Sequence, residues 1–281
     1  LISTIIIASP DIEEIVITGS LLNNPEQDTS PVDVINQEDY KNFNVSSFAE
    51  ISKYITSSSG SHFQTNTLGG VDQGMASITL RGLDHSSTLL LINSKRHTFA
   101  GTPSNQGEGY IDINIIPEIA IKKIEVLKEG ATSLYGSDAV AGVVNVLTQK
   151  DFEGFKVRIS DYKTSNYNQK DKSLGLLLGS NYTSGNYLIG INILDRSSLA
   201  ASEMPEIAEL GLSNLGRTFV VSANDAVNSG IYAGNYTAGQ YVPDPLCNVN
   251  DGVLVESECK FLYGTRFNIV NDEDHYKAYA N

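Results

Sequence analysis

The sequence predicts two unlike parts: an α+β domain over residues 21–150, then the first antiparallel strands of a transmembrane β-barrel, begun but not completed over residues 151–281. Three observations carry this reading. Before residue 150, short β-prone runs and one helical stretch alternate with long loops rich in Ser, Gly, Asn and Thr. After Gly154 the pattern changes to period two, with Phe155, Val157 and Ile159 alternating with Lys156, Arg158 and Ser160. The connections are also unequal. The turn at 183–186 is short while the stretch 197–268 is very long, as in membrane barrels with tight turns on one side and long loops outside.

The elements follow in chain order. Residues 11–18 (DIEEIVIT) form a β-prone run, turn formers fill 23–31, and 31–35 read as a brief strand. From 36 to 54, Tyr40, Phe43, Phe48 and Ile51 recur at helical spacing behind a cap at Asn36. Residues 57–74 are a loop, and 76–80 (ASITL) alternate up to Arg81 and Gly82. The continuous apolar run 88–92 (TLLLI) suits a strand covered on both faces, ending at the polar turn Asn93–Ser94. A loop spans 97–109, a strand 119–127, a helical turn 131–135 and a last strand 143–147. Gly130, Gly136 and Gly142 fall where the chain turns sharply and are expected at positive φ, which glycine adopts without strain. Beyond them, 172–182 and 187–194 approach the ~9–11 residues of a tilted membrane strand. Leu176, Leu177 and Leu178 interrupt the alternation there. Soluble β-sandwiches alternate in the same way, so periodicity alone leaves both architectures open.

Composition narrows the function. A hydrophobic fraction of 41% is enough for a packed core. A net charge of −14 and a pI near 4.6 argue against nucleic acid, whose phosphates need clustered Lys and Arg. No apolar run reaches the ~20 residues of a membrane helix. The chain begins at Leu1 rather than Met, as expected of a processed or cut polypeptide. Residues 1–10 read as a signal-peptide remnant or linker, with small residues Ala8 and Ser9 near a cleavage point; the alternative is a buried first strand. Cys247 and Cys259 lack the neighbours of a zinc set, so a disulfide closing a surface loop in an oxidising compartment is expected, against two free thiols. Under the short-turn argument that loop lies outside the cell, where such a bond persists. No nucleophile–base pair, metal motif or Gly-x-Ser-x-Gly element occurs, so neither an enzyme nor a cofactor or metal site is expected. The segment GSDAVAG (136–142) lacks the glycine spacing and following Lys of a phosphate loop.

Residues 112–150 (DINIIPEIAIKKIEVLKEGATSLYGSDAVAGVVNVLTQK) resemble the closing part of the plug of TonB-dependent outer-membrane receptors. Ile116–Pro117, the run IEVLK at 124–128, Gly130, LYGS at 134–137, Ala139, AGV at 141–143 and Asn145 match that family's pattern in order and spacing. Upstream, ITLRG at 78–82 resembles its "I..RG" element, and TLLLINSKR at 88–96 its "VLVLIDGRR" strand and turn, with Asn-Ser replacing Asp-Gly. EEIVITGS at 13–20 resembles the coupling segment that opens many such chains. The resemblance covers about residues 12–160.

It implies an α+β plug domain followed by barrel strands in a Gram-negative outer membrane, in contact with its lipid. The implied function is TonB-coupled uptake of a scarce ligand such as a siderophore, cobalamin, saccharide or peptide. The alternative is a surface binding or adhesion protein that does not transport. Residues 11–20 would be a TonB box: Ile15, Val16, Ile17 and Thr18 offer an extended edge that a partner adds as a strand, flanked by Glu13 and Glu14. The alternative for this segment is a plain first strand of the plug sheet. Arg81 and Lys128 would act as plug cations latched to barrel glutamates, Lys128 more loosely because an ammonium lacks the planar fork of Arg. Matching loop order to the family places ligand contacts at Gln64, Asn66, Asp84, His85, Arg96, His97 and Phe99.

Overall fold

The computed structural model describes residues 18, 32–43, 45–59, 61–63, 74–104, 107–213, 218–222, 230–256 and 258–281. The leader at 1–10, coupling residues 13–17, and Gln64 and Asn66 lie outside these.

The first half is built on a five-stranded sheet in the order Val32–Asn36, Ile121–Leu127, Gly142–Thr148, Thr88–Ile92 and Lys95–Arg96. Neighbours are antiparallel except Thr88–Ile92 with Gly142–Thr148, which run parallel. Strand Thr88–Ile92 ends where its apolar run ends, and it is covered on both faces as its composition requires. Leu90 joins the larger core with Ile51, Leu80 and Val144, while Leu89 and Leu91 pack on the other face with Leu127, Ala139 and Val143. Asn93 and Ser94 then turn the chain with φ of 51° and 63°, the left-handed pair that a tight hairpin needs.

The expected single helix over 36–54 divides into an α-helix, Gln37–Phe43, and a 3-10 helix, Phe48–Tyr54. At the start of the α-helix the Asn36 amide donates to the Asp39 carboxylate at 2.8 Å, the returning half of a capping box. The break lets Phe48, Ala49 and Ile51 reach the core from a second angle. Helical spacing survives across such a break because both pieces bury the same side. The glycine expectation needs one correction. Gly136 (φ 83°) and Gly142 (φ 141°) are at positive φ, but Gly130 is not. It is small for a different reason, as a Cβ there would stand 3.0 Å from the Val140 carbonyl oxygen.

The second half contains a four-stranded antiparallel sheet, Glu273–Ala280, Gly185–Arg196, Lys170–Tyr182 and Gly154–Lys163 in spatial order. Its polarity is inverted relative to a soluble sheet. The side turned away from the plug carries apolar rows: Phe155, Leu178, Ile189 and Ala280; Val157, Leu176, Ile191 and Ala278; Ile159, Leu174, Ile193 and Tyr276. Phe155, Ile159 and Tyr276 stand 64%, 78% and 76% exposed, a burden no soluble wall carries without a covering phase. A charged row, Asp161, Lys172, Asp195 and Asp274, bounds the band at one end. Tyr182 and Tyr187 bound it at the other, beside the short turn. The broken alternation at 176–178 now has its cause: Leu177 points inward and is 0% exposed because the plug covers it. Among the described residues no helix is long and apolar enough to cross a membrane, which leaves crossing by strands untouched.

Candidate functional site

Three arrangements on the plug carry polar chemistry. The first surrounds Thr18, the last of the expected coupling residues 13–18. It is fully buried against the sheet. Its amide donates to Glu125 Oε2 at 3.0 Å, its hydroxyl donates to the same oxygen, and it accepts from Asn145 Nδ2 at 3.0 Å. Glu125 is itself inaccessible and pairs with Lys123 at 3.0 Å. A carboxylate in such a place requires these partners, since an unpaired buried charge is very costly. Asn145 also accepts from the Ser94 amide at 3.0 Å and donates to Ser94 Oγ at 3.2 Å. One side chain therefore holds both Thr18 and the hairpin turn.

The second arrangement lies along the strand that follows that turn. His85, Arg96, His97 and Phe99, four of the expected ligand contacts, line one hollow together with Ile111 and Asp138. Arg96 is oriented by the Asp138 carboxylate and by the Tyr135 carbonyl oxygen. The hydrogen bond from Arg96 holds the Asp138 carboxyl below its ordinary range, so this pair stays ionised wherever ordinary carboxyls do. His85 shares a 2.9 Å hydrogen bond with Ser77 Oγ, and the Phe99 ring lies over Gly109, where a Cβ would stand 3.3 Å from it. Asp84 does not line the hollow; its carbonyl oxygen accepts from Ser87 N at 2.9 Å and starts the His85–Ser87 turn. Arg96 and Asp138 are 42 residues apart, which is why sequence reading found one and not the other.

The third arrangement joins plug to wall. The expected latch cations are engaged inside the plug: Arg81 donates to the Val140 carbonyl oxygen at 2.6 Å, and Lys128 pairs with Asp33. The ion pairs that reach the wall have the opposite polarity. Wall residue Arg196 pairs with plug residue Glu50 at 2.6 Å and with wall residue Asp171 at 2.8 Å, and wall residue Lys277 pairs with plug residue Glu118 at 2.6 Å. Sequence reading missed all of these, since each joins residues distant in the chain. In the long connection, Cys247 and Cys259 are disulfide-bonded with Cα atoms 5.7 Å apart.

Residues 25–143 match the TonB-dependent receptor plug domain family. Over 75 residues the chain is 41% identical to the iron-regulated outer membrane virulence protein of Vibrio cholerae serotype O1, covering 26% of this chain and 12% of that protein. It is also similar to the crystal structure of the siderophore receptor PirA from Acinetobacter baumannii (25% identity, TM-score 0.47, 66% of this chain and 27% of that one). A ferric enterobactin receptor mutant from Pseudomonas aeruginosa is similar at 20% identity and a TM-score of 0.49, over 69% of this chain and 28% of that one. The chain thus spans only a minor part of the length of each of these relatives. The plug packs Ile119 and Ala120 against Leu177 and Leu188 on the inward side of a four-stranded wall whose outward side is apolar, which defines the class as a plug with the first strands of an outer-membrane barrel. Over residues 25–143 the chain is similar to the plug of TonB-dependent receptors.

Proposed function

We propose that this chain is the plug and first wall of a receptor that imports an iron chelate with energy delivered through TonB. The observation that carries the proposal is the burial of Thr18. The end of the coupling segment is fastened to the plug sheet by Glu125 and Asn145, and Asn145 also holds the hairpin leading to Arg96, His97 and Phe99. An outer membrane has no nucleotide supply of its own, so uphill import draws on a physical link to the inner membrane. An extended segment, Glu13 to Thr18, suits this because a partner pairs with its backbone with little demand on side chains. The hollow at His85, Arg96, His97 and Phe99 is the ligand-facing part of this reading, offering a cation, two imidazoles and an exposed ring. The iron regulation of the Vibrio relative supports an iron chelate ahead of cobalamin, saccharide or peptide.

The test uses the full receptor in iron-starved cells. Deleting residues 13–18 should abolish uptake of labelled ferric chelate while leaving its surface binding within about twofold. Uptake that survives the deletion removes the coupling assignment. Binding without gradient-dependent uptake in the intact receptor would mark an adhesion or sensing protein instead.

A further inference from the structure

We infer that the first wall strands keep hold of the plug at its Glu118–Ala120 turn throughout uptake, so that any passage opens on another side of the plug; this rests on the uptake reading above. The turn sits in a socket on the inward faces of strands Lys170–Tyr182, Gly185–Arg196 and Glu273–Ala280. Two glycines make the room. A Cβ on Gly175 would stand 3.0 Å from Ile119 Cδ1, and one on Gly190 would stand 3.1 Å from the Ala120 Cβ. Leu177 and Leu188 close over Ile119 and Ala120, and all four are buried.

The socket is also polar at its rim. The Ile119 amide donates to Asn192 Oδ1 at 3.0 Å. Lys277 donates to Glu118 Oε1 at 2.6 Å, and the same oxygen accepts from the Phe48 amide at 2.9 Å. Withdrawing the turn would leave a buried amide and a largely buried ammonium without these partners, which low-dielectric surroundings penalise heavily. The chain itself adds a tether. Only residues 149–153 separate strand Gly142–Thr148 from wall strand Gly154–Lys163. That linker is pinned by Gln149 N to the Ala120 carbonyl oxygen (2.8 Å) and by Asn181 Nδ2 to the Asp151 carbonyl oxygen (3.2 Å). Asn186 Nδ2 donates to the Lys150 carbonyl oxygen as well. The hairpin ending at Lys95–Arg96 differs. It is one of the sheet's two edge strands among the described residues, and both its side chains are exposed.

Two measurements on the full receptor decide the matter. In the first, Ala120→Cys is combined with Gly190→Cys, whose Cβ atoms would lie near the span a disulfide takes. The oxidised, cross-linked receptor should import ferric chelate within about twofold of its reduced form. A loss of tenfold or more on oxidation, restored by reduction, overturns the inference. The second needs neither ligand nor TonB, so it stands if the uptake reading fails or the cysteine pair does not assemble. In mild urea the Ile119 amide should exchange with deuterium at least tenfold more slowly than that of Arg96. Exchange of both at one rate sinks the anchor, whatever the receptor imports.

Discussion

At residue scale, the buried carboxylate of Glu125 depends on Thr18 for two of its hydrogen bonds, from the amide and from the hydroxyl. Thr18→Val keeps the shape and removes only the hydroxyl, which should cost about 1–3 kcal/mol locally. Deuterium exchange of the residue-18 amide in the full receptor should speed up by about fivefold to a hundredfold, since ~1.4 kcal/mol is tenfold. An unchanged rate would mean that the hydroxyl holds nothing. Little of this was legible beforehand. Glu125 lies between Ile124 and Val126 in a strand, and its partner Thr18 lies 107 residues away, a separation that no local pattern spans. His85, His97 and Phe99 were picked out with Arg96 by loop order, although Arg96 lies in the short strand Lys95–Arg96. Asp138 was not, because its neighbours read as a glycine-punctuated turn.

Elements were easier to read than their partners. Strand Thr88–Ile92 has the ends that its apolar run dictates, because a continuous apolar segment stops where polar turn residues begin. The helical stretch was misjudged as one piece because spacing reports which side is buried and not whether the axis is continuous. Strand Gly142–Thr148 depends on its first residue. A methyl group there would meet the Leu127 carbonyl oxygen at 2.3 Å, and φ is 141°, a region L side chains avoid. Gly142→Ala should therefore destabilise the plug by about 2–5 kcal/mol, combining backbone strain with overpacking. A lowered urea midpoint for plug amides checks this. An unaltered midpoint would mean that the strand shifts at no cost.

On the scale of the whole molecule, the inverted wall is the feature that separates a membrane barrel from the sandwich that periodicity also allowed. Ile191 lies in the middle apolar row between Leu176 and Ala278. Ile191→Arg in the full receptor should cost about 2–4 kcal/mol of folding stability in a bilayer, the midplane value for a cation facing lipid. Denaturant titration in lipid vesicles measures it, and a neutral outcome would place that face in water. The disulfide bears on the history of the molecule as well as on its shape. A Cβ on Gly252 would lie 2.7 Å from the sulfurs of both Cys247 and Cys259, so the oxidised hairpin is closed around a residue with no side chain to spare. Reducing cytosol does not favour such a bond. The connection that holds Cys247 and Cys259 accordingly closes only where thiols are not kept reduced, which ties its final form to the redox chemistry of its compartment.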